Sequence, residues 1–181
     1  LVRRGHQKGL TLPAAVTLGE GPSGLGKALV FSKETEVSLA NVPEIDTDKP
    51  FTIAMWVWLP RDDQGLVFAR QKDSKKEGDS SKDWGWTIGV ERYNTEPQVP
   101  TIHLNGADGK SLTARPSADY ALKAKKWYHL TFSYDGSRNR KGLAIYIDGS
   151  LVPSYGDGSD FPPLESSIRA TSPVILGTKD K

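Results

Sequence analysis

The chain has 181 residues, 36% of them hydrophobic and 25% charged, and its 24 basic and 22 acidic side chains leave a formal net charge of +2. That length suits a single domain with a substantial core, and the near-balanced charge argues against a dedicated nucleic-acid surface. No apolar run approaches the roughly 18 to 20 residues of a membrane span, so membrane insertion is not expected. Cysteine is absent, which removes disulfides, thiolate zinc sites and cysteine nucleophiles.

The opening LVRRGHQKG (1–9) is polar and lacks the apolar stretch of a secretory signal; it reads as a lead-in within something longer. Strand-type runs then follow one another: AVTLG (15–19), KALVF (27–31), TEVSLA (35–40), FTIAMWVWL (51–59) and GLVFAR (65–70). They continue with WGWTIGV (84–90), VPTIHL (99–104), SLTA (111–114), WYHLTFSY (127–134), GLAIYI (142–147), SLVP (150–153) and SPVILG (172–177). Short runs at this spacing, parted by Gly, Pro and polar turns, predict an all-β antiparallel sandwich or barrel. The best helical window, DYALKAKK (119–126), offers no more than a short turn. QKDSKKEGDSSKD (71–83) is charged and aperiodic, and predicts a solvated excursion between two strands.

IYIDGSLV is the firmest local signal. Asp148 and Gly149 suit a two-residue type I′ turn, whose central positions both need positive φ, and that turn sets Tyr146 opposite Leu151 and Ile145 opposite Val152. Pro153 cannot donate to a ladder, so the second strand ends there or lies on an edge. Together with WYHLTFSY this predicts a three-stranded meander from Trp127 to Pro153.

Two motifs suggest chemistry and fail on context. GPSGLGK (21–27) satisfies the spacing of a phosphate-binding loop, but Ala28 replaces the hydroxyl residue that would hold magnesium, and a strand follows where a helix is needed. A turn into a strand is expected instead. In EIDTD, Glu44, Asp46 and Asp48 alternate like the paired carboxylates of a β-strand glycosidase. Pro43 and Pro50 bracket them, however, and favour a polar turn. His6, His103 and His129 show no metal or triad spacing; for the latter two, packed or hydrogen-bonded rings are expected.

From 26 to 177 the motif order resembles the laminin G-like, concanavalin A-like jelly-roll family. The resemblance rests on GKALVF, PFTIAMWVWLP, LVFARQ, WGWTIGV, KKWYHLTFSYDGS, GLAIYIDGSLV and SPVILGT, with a W-x-H strand followed by Y-D-G and then Y-x-D-G. The run SRNRKGLAIYIDG looks like modules embedded in large exported multidomain proteins of planctomycete-type bacteria. The resemblance implies a two-sheet antiparallel jelly-roll sandwich over 10–181 and an extracytoplasmic setting, periplasmic or at the cell surface. Members of that family usually continue after SPVILG into a closing strand, which here is expected either to be cut off, leaving an unpaired sheet edge, or to be replaced by another segment. AVTLG is the expected partial cover for that edge.

In FTIAMWVWL, Phe51, Ile53, Met55, Val57 and Leu59 share one face and Ala54, Trp56 and Trp58 the other. Two apolar faces predict a central strand covered on both sides, with Trp56 in the family's structural tryptophan position. Trp86 and Trp127 are also expected inside. The uncommitted aromatics are Trp84, Trp58, Tyr93 and Tyr155, and rings of this kind stack on sugar C–H groups. The resemblance further suggests calcium, for which Asp157 and Asp160 in GDGSD offer carboxylates; no other cofactor is expected. The function expected is a non-catalytic recognition module for a polysaccharide or glycoconjugate. The alternative is a spacer that contacts neighbouring domains of a parent protein, and a glycoside hydrolase ranks third.

Overall fold

The computed structural model describes residues 12–31, 35–39, 42–61, 66–74, 83–92, 97–155 and 163–177, with backbone alone at 66–68 and 74. Thirteen strands occur among them, in three antiparallel sheets. β1 (Val16–Glu20) and β2 (Lys27–Phe31) form a hairpin of their own. The GPSGLGK stretch is its turn, closed by the Gly21 N–H donating to the Gly26 carbonyl at 2.8 Å, and Lys27 starts a strand rather than a helix. Its first strand, the AVTLG run, pairs with β2 among the described residues and does not extend either larger sheet.

A seven-stranded sheet has the order β12-β8-β7-β6-β5-β13-β3. Its members are β3 (Glu36–Leu39), β5 (Leu66–Ser74), β6 (Asp83–Glu91), β7 (Val99–Asn105), β8 (Ser111–Pro116), β12 (Ser154–Tyr155) and β13 (Val174–Gly177). A four-stranded sheet has the order β11-β10-β9-β4, from β4 (Phe51–Trp58), β9 (Trp127–Tyr134), β10 (Leu143–Ile147) and β11 (Ser150–Val152). The two sheets share one core. Leu130, Phe132 and Ile145 from the smaller sheet join Ile88, Ile102, Leu104 and Ala114 from the larger, all at 0% exposure. Burying each large side chain of this set is worth about 1.5–3 kcal/mol. This is the expected all-β sandwich.

The meander follows the sequence signal closely. Tyr146 stands opposite Leu151 and Ile145 opposite Val152, and the turn places Asp148 at φ 51° and Gly149 at φ 83°. Pro153 ends β11, and β12 then crosses to pair with β8 in the other sheet. The helical window of 119–126 shrinks to a 3₁₀ turn over Ala118–Tyr120. The charged excursion is largely outside the described residues, although β5 carries its pairing with β6 as far as Ser74 opposite Asp83.

Between 163 and 173 the chain has no regular structure, yet Leu164, Ile168 and Ala170 are buried. Backbone polar groups in such a strap need partners supplied from elsewhere. The Leu164 N–H donates to the Arg138 carbonyl at 2.8 Å and the Ile168 N–H to Asp46 at 3.2 Å. Asp73 accepts from the N–H groups of Thr171 (2.6 Å) and Ser172 (2.9 Å). Gln71 donates its amide to the carbonyls of Ala170 (3.1 Å) and Ser172 (2.9 Å). The strap is thus held from three distant stretches of chain, by the side chains of Asp46, Gln71 and Asp73 and by the backbone of Arg138.

Candidate functional site

The alternation of β4 and β9 determines what the smaller sheet shows to solvent. Along β9, Tyr128, Leu130, Phe132 and Tyr134 are buried, so Trp127, His129, Thr131 and Ser133 point away from the core. The antiparallel register sets Trp58 opposite Trp127, Trp56 opposite His129, Ala54 opposite Thr131 and Thr52 opposite Ser133. Beyond β9, Tyr146 of β10 stands opposite Thr131 and Leu151 of β11 opposite Tyr146. Trp56 and Trp58 are 44% and 45% exposed, and Leu151 is more open still.

The expectation for Trp56 is therefore corrected, as is that for Trp127. β4 is paired only with β9 among the described residues, so it is an edge strand and not a central one. Its outer face is apolar because it is aromatic, not because another layer covers it. Trp127 is half-buried on the same outer face. Trp86, by contrast, is 2% exposed and donates its indole N–H to the Gln71 amide oxygen at 3.2 Å, as an inward residue should.

Local contacts steady the aromatic face. The His129 and Trp56 rings lie 5.1 Å apart at 55°, a tilted arrangement typical of attractive aromatic pairs. Asp148 ties the adjacent turn to β9: its carboxylate accepts from the His129 N–H at 2.8 Å, and its own N–H donates to the His129 carbonyl at 2.8 Å. Lys126 lies 4.4 Å from the centre of the Tyr128 ring and 3.8 Å from the Asp148 carboxylate.

The other expected aromatics lie elsewhere. Trp84 is half-buried and donates its indole N–H to the Arg169 carbonyl at 2.9 Å, so it helps to hold the strap. Tyr155, 61% exposed, stands opposite Arg115 on the edge strand of the larger sheet. The structure does not gather Trp58, Trp84 and Tyr155 into one site. Tyr93, Asp157 and Asp160 lie outside the described residues, as does His6. Among the described residues no group of three or more His, Asp or Glu is placed to hold a metal ion.

The carboxylates of EIDTD are committed to the fold. Asp46 is buried and accepts from the Thr47 N–H (2.8 Å), the Ser167 hydroxyl (2.9 Å) and the Ile168 N–H (3.2 Å). Burial is the largest single influence on this group and pushes its carboxyl up. The three hydrogen bonds and the nearby Arg169 charge together outweigh it and hold the carboxyl below the ordinary range. Glu44 pairs with Lys49 and Arg169, each at 2.7 Å. Asp48 lies exposed, 3.8 Å from Arg138. The segment is a turn and clamp, and it does not display alternate acids on a strand.

Sequence reasoning missed Trp56, Trp127 and His129 as surface residues. A signal for them existed in WYHLTFSY, where His129, Thr131 and Ser133 alternate with apolar neighbours. That pattern marks one solvent-facing side, and pairing this strand with FTIAMWVW carries the exposure across to Trp56.

No curated protein matches the sequence. Among solved structures, the carbohydrate recognition domain of Emp47p in its monoclinic crystal form 1 is similar at 14% identity, over 96% of this chain and 84% of that one, with a TM-score of 0.43. A family profile described as the concanavalin A-like lectin/glucanases superfamily matches residues 31–180. With most of its length matched and its strands folded as two antiparallel layers around one core, the chain belongs to that superfamily, on its laminin G-like branch.

Proposed function

We infer that the domain is a non-catalytic carbohydrate-recognition module, and that sugar rings stack on the outer face of the smaller sheet. The observation that carries this reading is the pair of exposed indoles, Trp56 and Trp58, two residues apart on one strand and so on one face. Half-exposed tryptophans are unusual in a face that needs only to be solvated, and an indole offers sugar C–H groups a broad polarisable surface. His129, Thr131 and Tyr146 lie beside them as hydrogen-bonding groups for hydroxyls. Family membership supports the reading without specifying a ligand. The face's cross-strand set contains no carboxylate pair that could act across a glycosidic bond.

A single shallow platform of this kind binds in the range of roughly micromolar to millimolar. Isothermal calorimetry against soluble polysaccharides tests the reading directly. Trp56→Ala and Trp58→Ala are expected each to weaken binding about tenfold, whereas Tyr155→Ala and Trp84→Phe leave it within about twofold. Binding that survives loss of both indoles would overturn the platform. A second reading, docking onto neighbouring domains of a larger exported protein, is favoured by the β4 edge. That eight-residue strand, FTIAMWVW, carries no charge or proline to discourage strand addition. Calcium at Asp157 and Asp160 and an extracytoplasmic setting rest on family resemblance; calorimetry with added calcium tests the former.

A further inference from the structure

The aromatic face has a chemical character that narrows its ligand. Its rows across the sheet are Trp58–Trp127, Trp56–His129, Ala54–Thr131–Tyr146–Leu151 and Thr52–Ser133–Ala144. None of these eleven residues is Lys, Arg, Asp or Glu, in a chain where a quarter of all residues are. The His129 row ends at the hairpin turn on Asp148, whose carboxylate accepts from the His129 N–H at 2.8 Å and lies 3.8 Å from the Lys126 ammonium. The larger sheet's outer face is unlike this. There Arg70 pairs with Glu36 at 2.6 Å, Lys72 with Asp83 at 3.1 Å, and His103 bonds Glu91 at 2.8 Å.

We propose that the face takes an uncharged, extended, β-linked polysaccharide lying along β4, and not an acidic glycan; this rests on the carbohydrate-recognition reading above. Residues two apart on a strand are spaced by roughly 7 Å, so the two indoles offer a short flat track, not a pocket around a chain end. A ribbon-like β-linked chain presents rings with axial C–H groups toward such a track. An indole face carries the negative side of its quadrupole. A uronate or sulfate laid over it meets repulsion and loses water with no cation inside the face to replace it. The neutral donors and acceptors present, Thr52, Thr131, Ser133 and the Tyr146 hydroxyl, match sugar hydroxyls instead.

The test is affinity electrophoresis and depletion binding of the intact chain. The panel holds mixed-linkage β-glucan, glucomannan and xylan as neutral β-linked polymers, amylose as a neutral α-linked one, and polygalacturonate, alginate and heparin as acidic ones. The proposal expects retention by at least one neutral β-linked polymer, unchanged within about twofold as salt rises from about 0.05 to about 0.5 M. It also expects a weakening of about tenfold in Trp56→Ala. Preferential binding of an acidic polymer, weakened by salt and by Trp56→Ala, would overturn the proposal while leaving the aromatic platform standing. So would preference for amylose at the same residues. Binding indifferent to Trp56 and Trp58, or none to any polymer, would overturn the platform as well.

Discussion

The two sheets obey the same alternation, inward apolar and outward free, yet their outer faces differ in what they leave unspent. On the larger sheet, Arg70 is matched by Glu36, Lys72 by Asp83, and His103 lies between the Thr113 hydroxyl (2.9 Å) and Glu91. These polar groups, partly open to solvent, satisfy one another. On the smaller sheet, Trp56 and Trp58 present large half-exposed apolar rings, with the His129 ring beside Trp56 and Trp127 opposite Trp58. A face whose groups are already paired has little to offer a partner. A face of open rings gains by being covered.

The sharpest way to break this contrast is to compare the two sides of the same strand pair. Phe132, fully buried on the inner side of β9, should cost about 3–5 kcal/mol when changed to Ala. Trp56→Ala, on the outer side of β4, should cost at most about 1 kcal/mol. Urea unfolding measures both, and equal losses would return Trp56 to the core. Next in size is binding. Trp56→Ala/Trp58→Ala should lower polysaccharide affinity about a hundredfold, while Arg70→Ala/Lys72→Ala leaves it within about twofold. The reverse pattern, read by calorimetry, would move the site to the larger sheet.

The strap provides a third comparison, because several carboxylates hold it, whereas the aromatic face is tied to one, that of Asp148 in the adjoining turn. For Asp73, burial pushes the carboxyl up but is outweighed by hydrogen bonds from Thr171 and Ser172; for Asp108, the Ser166 hydroxyl and then the Lys110 N–H lower it. With Asp46, these folded-state carboxyls lie below their unfolded values. Their contribution is therefore complete above the ordinary carboxylate range and is lost as pH falls through the lowered folded values. Thermal unfolding across acid pH should show that loss, and Asp46→Asn should reduce its steepness while costing about 1–3 kcal/mol at neutral pH. A variant with an unaltered acid limb would remove Asp46 from the clamp. The smallest effect is expected at Thr87 on the larger sheet, whose hydroxyl is buried with no hydrogen-bond partner among the described residues. Thr87→Val should be neutral or stabilising by up to about 1 kcal/mol, and a clear loss of stability would show that the hydroxyl is engaged.

Much of this architecture was legible because it is local. Asp148-Gly149 sets the register of two strands through its own turn, and Ala28 and the strand after it dispose of the phosphate-loop reading. Trp86 sits inward because its neighbours alternate. The orientation of Trp56 and Trp127 was not legible, since an apolar outer face looks the same in sequence whether a further layer covers it or solvent does. Sheet order decides that, and it depends on pairings between residues far apart. Asp46 teaches the same lesson: its partners Ser167 and Ile168 lie more than a hundred residues away, so a fold clamp resembled a catalytic pattern. Trp84 was expected to be a free ring because its acceptor, the Arg169 carbonyl, belongs to a strap with no periodic signature.

The chain contains five tryptophans, so its indole N–H signals in a nitrogen-resolved NMR spectrum can be followed one by one during titration with a soluble β-glucan. The account predicts that the Trp56 and Trp58 signals shift with a common saturation curve, while those of Trp84 and Trp86, tied to Arg169 and Gln71, stay in place. Saturable binding that moves Trp84 or Trp86 and leaves Trp56 and Trp58 unmoved would contradict it.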